Sequence, residues 1–303
     1  MVDSAGTEVV LAPGDQGRNM KIRALSPIMG AEIVGIDLST PVGEADFAAI
    51  HQAFLDHLVV VFRDQHLTPA SHVAFSKQFG ELAVHVKAEY LLPDQPEVLI
   101  LSNKKHPDGR PMGFEDAGRY WHSDMSYLDE PPLGSLLYAV EIPPEKGDTL
   151  FANMYLAYET LPEATKLKIA GLTASHSYLA SFEGKTKSGY ARDTLTEEQK
   201  AQLREVSHPV VRTHPETGRK ALYINPGFTV RIEGLPEDEG AALLDDLIEH
   251  ATKPDFQYRH VWRPHDLVFW DNRCAMHHAT LYDRQYARHM HRTTVKGDRP
   301  FAS

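Results

Sequence analysis

"LVFWDNRCAMHHATLYDRQYARHMHRTTV", residues 267–295, holds two runs of β-branched and aromatic residues with a histidine-rich segment between them. Its ends, "DLVFW" at 266–270 and "MHRTTV" at 290–295, read as strands. Similar short runs lie upstream: "LVVVFR" at 58–63, "VLIL" at 98–101, "SLLYAVEI" at 135–142 and "ALYI" at 221–224. Their spacing is irregular, and the helical patterns cluster instead of alternating with them, which disfavours a doubly wound parallel sheet. The pattern predicts a mainly β protein: an antiparallel double sheet with helices packed outside.

Three helices are signalled. "TPASHVAFSKQFG" at 68–80 has Thr68 as a cap, Pro69 in the first turn and Gly80 past the end. "TEEQKAQLREV" at 196–206 places Thr196 and Gln199 at capping-box spacing. A third opens at Pro236, with Leu243, Leu244, Leu247 and Ile248 as an apolar stripe. Residues 1–19 are polar and without period, so they read as a flexible leader, and 20–303 as a single domain. No Gly-rich phosphate loop and no Gly-x-Ser-x-Gly elbow occurs.

At 303 residues and 42% apolar composition the chain can bury a large core without staples. The single Cys274 excludes an intrachain disulfide framework and a multi-cysteine zinc site. No export signal is visible, and no stretch approaches the roughly 20 apolar residues that cross a bilayer. A cytoplasmic protein is expected. A net charge of −11 argues against a nucleic-acid partner, which needs clustered cations.

"YWHSDMSYLDEPP" at 120–132 puts His122 and Asp124 two apart. On a strand such residues share a face and can offer imidazole and carboxylate to one ion. "HPDG" at 106–109 has the same spacing, but Pro107 and Gly109 mark a turn. The 267–295 stretch supplies His277, His278, His289 and His291 as further donors, and spacing alone does not choose among them. Two histidines and one carboxylate with open positions opposite suit non-haem Fe(II), and zinc with a water is the competing reading. Arg288 and Arg292, four apart, share a face if their segment is a strand, so that two guanidinium forks aim at anions. Surface salt bridges are the plain alternative.

"WHSDMSYLDEPP", "KGDTLFANMYLAYETLP", "HPVVRTHPETGRKALYINPGFTVRIEG", "WDNRCAMHHA" and "RHMHRTTV" follow one another in an order that resembles the taurine dioxygenase and 2,4-dichlorophenoxyacetate dioxygenase family of Fe(II)- and 2-oxoglutarate-dependent oxygenases. The resemblance runs from about residue 20 to the C-terminus. It implies a double-stranded β-helix, or jelly roll, with iron at its mouth. His122 and Asp124 match the family's His-x-Asp, and His277, not His278, matches its distal histidine. Thr149 and Arg288 match the pair that binds the far carboxylate of 2-oxoglutarate. Arg292 matches the arginine that grips the sulfonate in taurine dioxygenase, and His85 lies where that enzyme has a sulfonate-binding histidine. Phe228 falls in the expected apolar wall.

There are departures. A tyrosine of the taurine site falls at Ala88, and an asparagine four residues before the first metal histidine falls at Gly118. His265 stands where the family usually carries glycine. The resemblance thus implies an enzyme that uses Fe(II), 2-oxoglutarate and O2 to hydroxylate a small anionic substrate, releasing succinate and CO2, and working as a homodimer or homotetramer. A taurine-like alkylsulfonate is the first expectation and an aryloxyalkanoate the second. A zinc protein or a non-catalytic jelly-roll binder is the reading from a different class.

Overall fold

A computed structural model describes residues 20–115, 118–179 and 204–303. The expected leader over 1–19 and the helix signalled from Thr196 lie outside the described residues, the latter up to 203. The strands in chain order are β1 (Lys21–Ala24), β2 (Ala31–Val34), β3 (Val59–Phe62), β4 (Leu91–Leu92), β5 (Gln95–Ser102), β6 (Gly134–Glu141), β7 (Thr149–Asn153) and β8 (Thr173–His176). They continue with β9 (Val206–Pro209), β10 (Val211–Thr213), β11 (Lys220–Leu222), β12 (Thr229–Ile232), β13 (Gln257–His260), β14 (Leu267–Asp271), β15 (Ala275–Ala279) and β16 (His289–Val295).

Eight of them form one sheet in the order β1-β2-β3-β14-β6-β16-β5-β4, antiparallel except at β2/β3. Across from it stand two three-stranded sheets, β13-β7-β15 and β12-β8-β9, and the pair β10-β11. This is the jelly roll that the sequence led us to expect. All six predicted runs overlap strands, although "ALYI" contributes only its first two residues to β11.

Alternation along the central strands explains why they are apolar throughout. Val59 and Val61 of β3, Leu137 and Ala139 of β6, and Val268 and Trp270 of β14 point to a core shared with Phe151, Ala152 and Met276 of the smaller sheet. Val60 and Phe62, Leu136 and Tyr138, and Leu267 and Phe269 point the other way. There α1 (Glu44–His57) and α2 (Pro69–Lys77) cover them with Ile50, Phe54, Val73 and Phe75. Both faces of the sheet are buried, so no polar alternation is needed. Phe54 stacks on Phe269 at 4.0 Å between ring centres.

α2 starts as its sequence predicts: Thr68 and Ser71 exchange capping hydrogen bonds, and Pro69 takes the first turn. α3 (Met154–Glu159) is capped by the Asn153 side chain, which accepts from the N–H groups of Tyr155 and Leu156. α4 (Glu163–Ile169) follows. α5 (Glu237–Ala251) follows Pro236 and buries Leu243, Leu244 and Leu247 against the first core. Its first turn carries Glu237, Asp238 and Glu239, which suits the positive end of the helix.

His265 has φ +66, in the left-handed region that favours glycine. Its ring meets the Tyr138 hydroxyl at 2.9 Å, while its backbone exchanges hydrogen bonds with Ala139 and Gln65. The backbone conformation explains a usual glycine at this place.

Candidate active site

His277 sits in the middle of β15, opposite Phe151 of β7. On its other edge β15 meets the segment carrying His122: the His122 N–H donates to the His277 carbonyl at 3.1 Å and the return bond is 2.8 Å. The expectation of a strand through His122 and Asp124 needs correction. His122 makes one isolated bridge, Asp124 already lies in a turn, and Met125 after it has φ +48. The chain leaves the sheet there, and the turn places the carboxylate beside the two imidazoles.

His122 Nε2 and His277 Nε2 lie 3.6 and 3.9 Å from Asp124 Oδ1. One donor atom from each residue falls within 4.8 Å of the others, and all three side chains are buried. The His122 ring is held by Nδ1, which donates to the Tyr120 carbonyl at 2.8 Å. A neutral imidazole bonded that way keeps the Nε2 lone pair for an ion. Burial, with His122 beside it, keeps His277 well below the usual histidine range and so neutral. Burial opposes the charge on Asp124, but Arg292 and the two histidines outweigh it and hold the carboxyl well below its usual value. Two imidazoles and a carboxylate on one side fit a divalent first-row ion.

The other expected residues gather around this cluster. Arg292, in β16 between β5 and β6, places Nη1 3.2 Å from Asp124 Oδ1. His85 is half-buried and pushed down to about 4, by burial first and by the Arg292 charge second. Its Nδ1 accepts the Lys87 N–H, so its proton is on Nε2. Phe228 meets the His122 ring edge-on at 6.1 Å and Tyr127 at 4.9 Å, and Tyr127 meets Tyr178 at 4.7 Å. Gly118 has φ +77, and a Cβ there would come within 3.0 Å of His122 Cε1.

Arg288 stands apart from Arg292. It precedes β16, and Asn103 clamps it by accepting its N–H at 2.8 Å and donating to its carbonyl at 3.2 Å. Its guanidinium lies 5.8 Å from the centre of the Tyr282 ring, and burial pushes its pKa down to about 10, so it stays charged at neutral pH. Among the described residues it has no carboxylate partner. Thr149, at the start of β7, is buried, and its hydroxyl oxygen accepts the Trp262 indole N–H at 3.0 Å. The hydroxyl proton remains available to an acceptor. Neither Asn103 nor Trp262 carries a local signal of this role, because each acts on a residue more than 100 positions away.

His278 faces away, 5.6 Å from Trp121. His289 and His291 lie on the opposite side of β16 from Arg292, with their Nε2 atoms 3.2 Å apart. A second donor cluster, His214, Asp271 and Cys274, is closed to ions. Both Asp271 oxygens are taken by Arg273, one of them also by His214, and this lock shapes the turn that launches β15.

Residues 21–294 match the model of the family described as taurine catabolism dioxygenase TauD, TfdA family. The chain belongs to this family. It is therefore a dioxygenase, and its similarity to other TauD/TfdA proteins spans nearly its whole length. It is 35% identical to the alpha-ketoglutarate-dependent 2,4-dichlorophenoxyacetate dioxygenase of Cupriavidus pinatubonensis over 283 residues, covering 90% of this chain and 96% of that one. A taurine dioxygenase structure from Burkholderia xenovorans superposes with a TM-score of 0.78 at 35% identity, covering 93% of this chain and 91% of that one. The structure of AAD-2 in complex with Mn(II) and N-oxalylglycine gives 0.78 at 34% identity, over 93% and 99%.

Proposed function

We propose that His122, Asp124 and His277 hold Fe(II), that Arg288 and Thr149 bind the far carboxylate of 2-oxoglutarate, and that Arg292 and His85 receive the anionic end of a small organic substrate. The chain is a 2-oxoglutarate-dependent dioxygenase that hydroxylates this substrate, with a taurine-like alkylsulfonate as the first candidate. The observation that carries the reading is a buried His-Asp-His donor cluster with a guanidinium 3.2 Å from its carboxylate. When bound, Fe(II) supplies dioxygen activation, coupled to conversion of 2-oxoglutarate to succinate and CO2, that places hydroxyl on a substrate carbon.

The chain's own groups then divide the work. Arg288 offers a charged fork and Thr149 a hydroxyl proton, which together suit a carboxylate. Arg292 attracts the substrate's negative end, and His85 adds an Nε2–H donor without a second positive charge. Phe228 and Tyr127 keep water from the space beside His122. Holding one C–H bond toward the metal side sets which carbon reacts.

An aryloxyalkanoate is the second reading. It is favoured by the group of rings formed by Tyr127, Tyr178 and Phe228. The likeness to the 2,4-dichlorophenoxyacetate enzyme supports it as well. Among the described residues no helix is long and apolar enough to cross a membrane. A cytoplasmic homodimer or homotetramer, 20–303 forming one domain, completes the proposal, and light scattering decides between the two states.

The test is anaerobic addition of Fe(II) and 2-oxoglutarate, watched for the weak visible charge-transfer band of the chelate. Air is then admitted with taurine, longer alkylsulfonates or phenoxyacetates, and succinate is measured. A band with substrate-stimulated succinate identifies the substrate group; absence of the band overturns the ligand assignment.

A further inference from the structure

Asp124 has two carboxylate oxygens, and the structure treats them differently. Oδ1 faces His122 Nε2, His277 Nε2 and Arg292 Nη1 at 3.6, 3.9 and 3.2 Å. Oδ2 accepts the Ser135 hydroxyl at 2.7 Å. Both side chains are buried, Ser135 completely. That hydroxyl has a single proton, and a carboxylate can only accept, so the proton is committed to Oδ2.

The commitment is reinforced from behind. The Trp270 indole N–H donates to Asn272 Oδ1 at 3.0 Å, and since an indole can only donate, this orients the Asn272 amide. The Asn272 NH2 group then lies toward Ser135 Oγ in a long 3.5 Å contact, which turns the serine proton away from it. The Ser123 hydroxyl pins the Asn272 carbonyl at 2.6 Å. A directed chain therefore runs from Trp270 through Asn272 and Ser135 to Asp124, and Trp270 also packs against His277 with ring centres 4.7 Å apart.

Asp124 lies in a turn outside any strand, its N–H donating to Asn272 Oδ1 at 3.4 Å, so side chains and not a strand pairing orient its carboxylate. Ser135 is in β6, paired on one side with Trp270 of β14 and on the other with Thr294 of β16. It is the rigid member of the pair. A carboxylate free to pivot can offer both oxygens to one cation.

We infer that Ser135 is a positioning residue that holds Asp124 Oδ2 away from the donor cluster, so that Asp124 would offer a bound ion Oδ1 alone and leave room for 2-oxoglutarate. The inference rests on the proposed metal role of Asp124. Ser135→Ala removes the donor to Oδ2 together with the long contact from Asn272, so Asp124 is expected to swing its freed oxygen toward the ion and compete with 2-oxoglutarate.

The test compares wild type, Ser135→Ala and Ser135→Cys under anaerobic conditions, with thermal melts as the check on folding. Fe(II) affinity is read by quenching of tryptophan fluorescence, and 2-oxoglutarate affinity by the visible band at saturating Fe(II). Ser135→Ala is expected to shift or lose the band and to weaken 2-oxoglutarate binding by about tenfold, the lower end for loss of a partner behind a metal ligand. The cysteine thiol, a weaker donor, is expected to fall between. Should Ser135→Ala fail to fold, Ser135→Cys carries the comparison. A folded variant with the wild-type band and 2-oxoglutarate affinity overturns the positioning role, even if its melting temperature falls. A wild-type protein with no band overturns the metal assignment itself, and the two failures are thereby distinct.

Discussion

Arg292 Nη1 stands 3.2 Å from Asp124 Oδ1, whereas Arg288, four residues earlier, lies beside the Tyr282 ring. Two arginines on one stretch of chain thus stand in different surroundings. Their separation follows from the strand: Arg292 is inside β16 and faces the donor cluster, while Arg288 precedes it under the clamp of Asn103.

Arg288→Ala is expected to weaken 2-oxoglutarate binding by roughly 10-fold or more, the cost of one charge-assisted pair. Arg292→Ala is expected to leave that affinity within about twofold, since its guanidinium is at the Asp124 end, while substrate-stimulated succinate falls at least about tenfold. Titration of both variants with 2-oxoglutarate and with substrate checks the split. The reverse pattern means that the two roles are exchanged.

His277→Ala is expected to abolish Fe(II)-dependent turnover of 2-oxoglutarate, and His278→Ala to retain it. Neighbours in β15 point to opposite faces, so only His277 reaches Asp124. Succinate release at saturating Fe(II) measures both. Activity surviving in His277→Ala sinks the assignment.

Trp262→Phe keeps the apolar bulk but removes the indole N–H from Thr149. With its orientation loosened, Thr149 is expected to cost a few-fold in 2-oxoglutarate affinity, in line with about 1 kcal/mol for a neutral hydrogen bond. Binding of substrate at saturating 2-oxoglutarate is expected to stay unchanged.

Acid is expected to destabilise the fold well above the range where carboxylates titrate. Burial pushes His72 and His176 down to about 3 and His85 and His291 to about 4, whereas unfolded histidine titrates near 6.5. Above that value neither state binds a proton at these sites. As pH falls from about 6.5 toward 4 the unfolded chain takes up protons that the native state refuses, so stability is lost across that window. Melting temperatures between pH 7.5 and 5 measure the slope. His72→Gln, which can still reach Thr293, is expected to reduce it by about one proton's worth.

Local pattern made much of the fold legible. The apolar runs at 58–63, 98–101 and 135–142 lie in strands buried on both faces, and Thr68 and the leucine stripe after Pro236 mark α2 and α5. α1 was not anticipated, although Ile50, Ala53 and Phe54 have helical spacing; Gly43 at its start makes no side-chain cap. The short strands β1, β2, β4, β7, β8, β9, β10, β12, β13 and β15 fall outside the predicted runs as well. Their polar residues, such as His176, His208 and His277, are buried by tertiary neighbours that no local pattern announces.

The sequence by itself determined a mainly β class through its apolar runs and, through its resemblance to a known family, the jelly roll and the residue types of the candidate site, because those runs and the His-x-Asp and "WDNR" motifs are properties of neighbouring residues. Tertiary structure decided which donors meet. Sheet register turns His277 toward His122 while His289 and His291 go to the far side of β16, and it brings Ser135, Trp262 and Asn103 behind Asp124, Thr149 and Arg288. A one-residue slip would send every side chain of a strand to its other face, so these meetings depend on pairings between distant segments and not on any pattern within one.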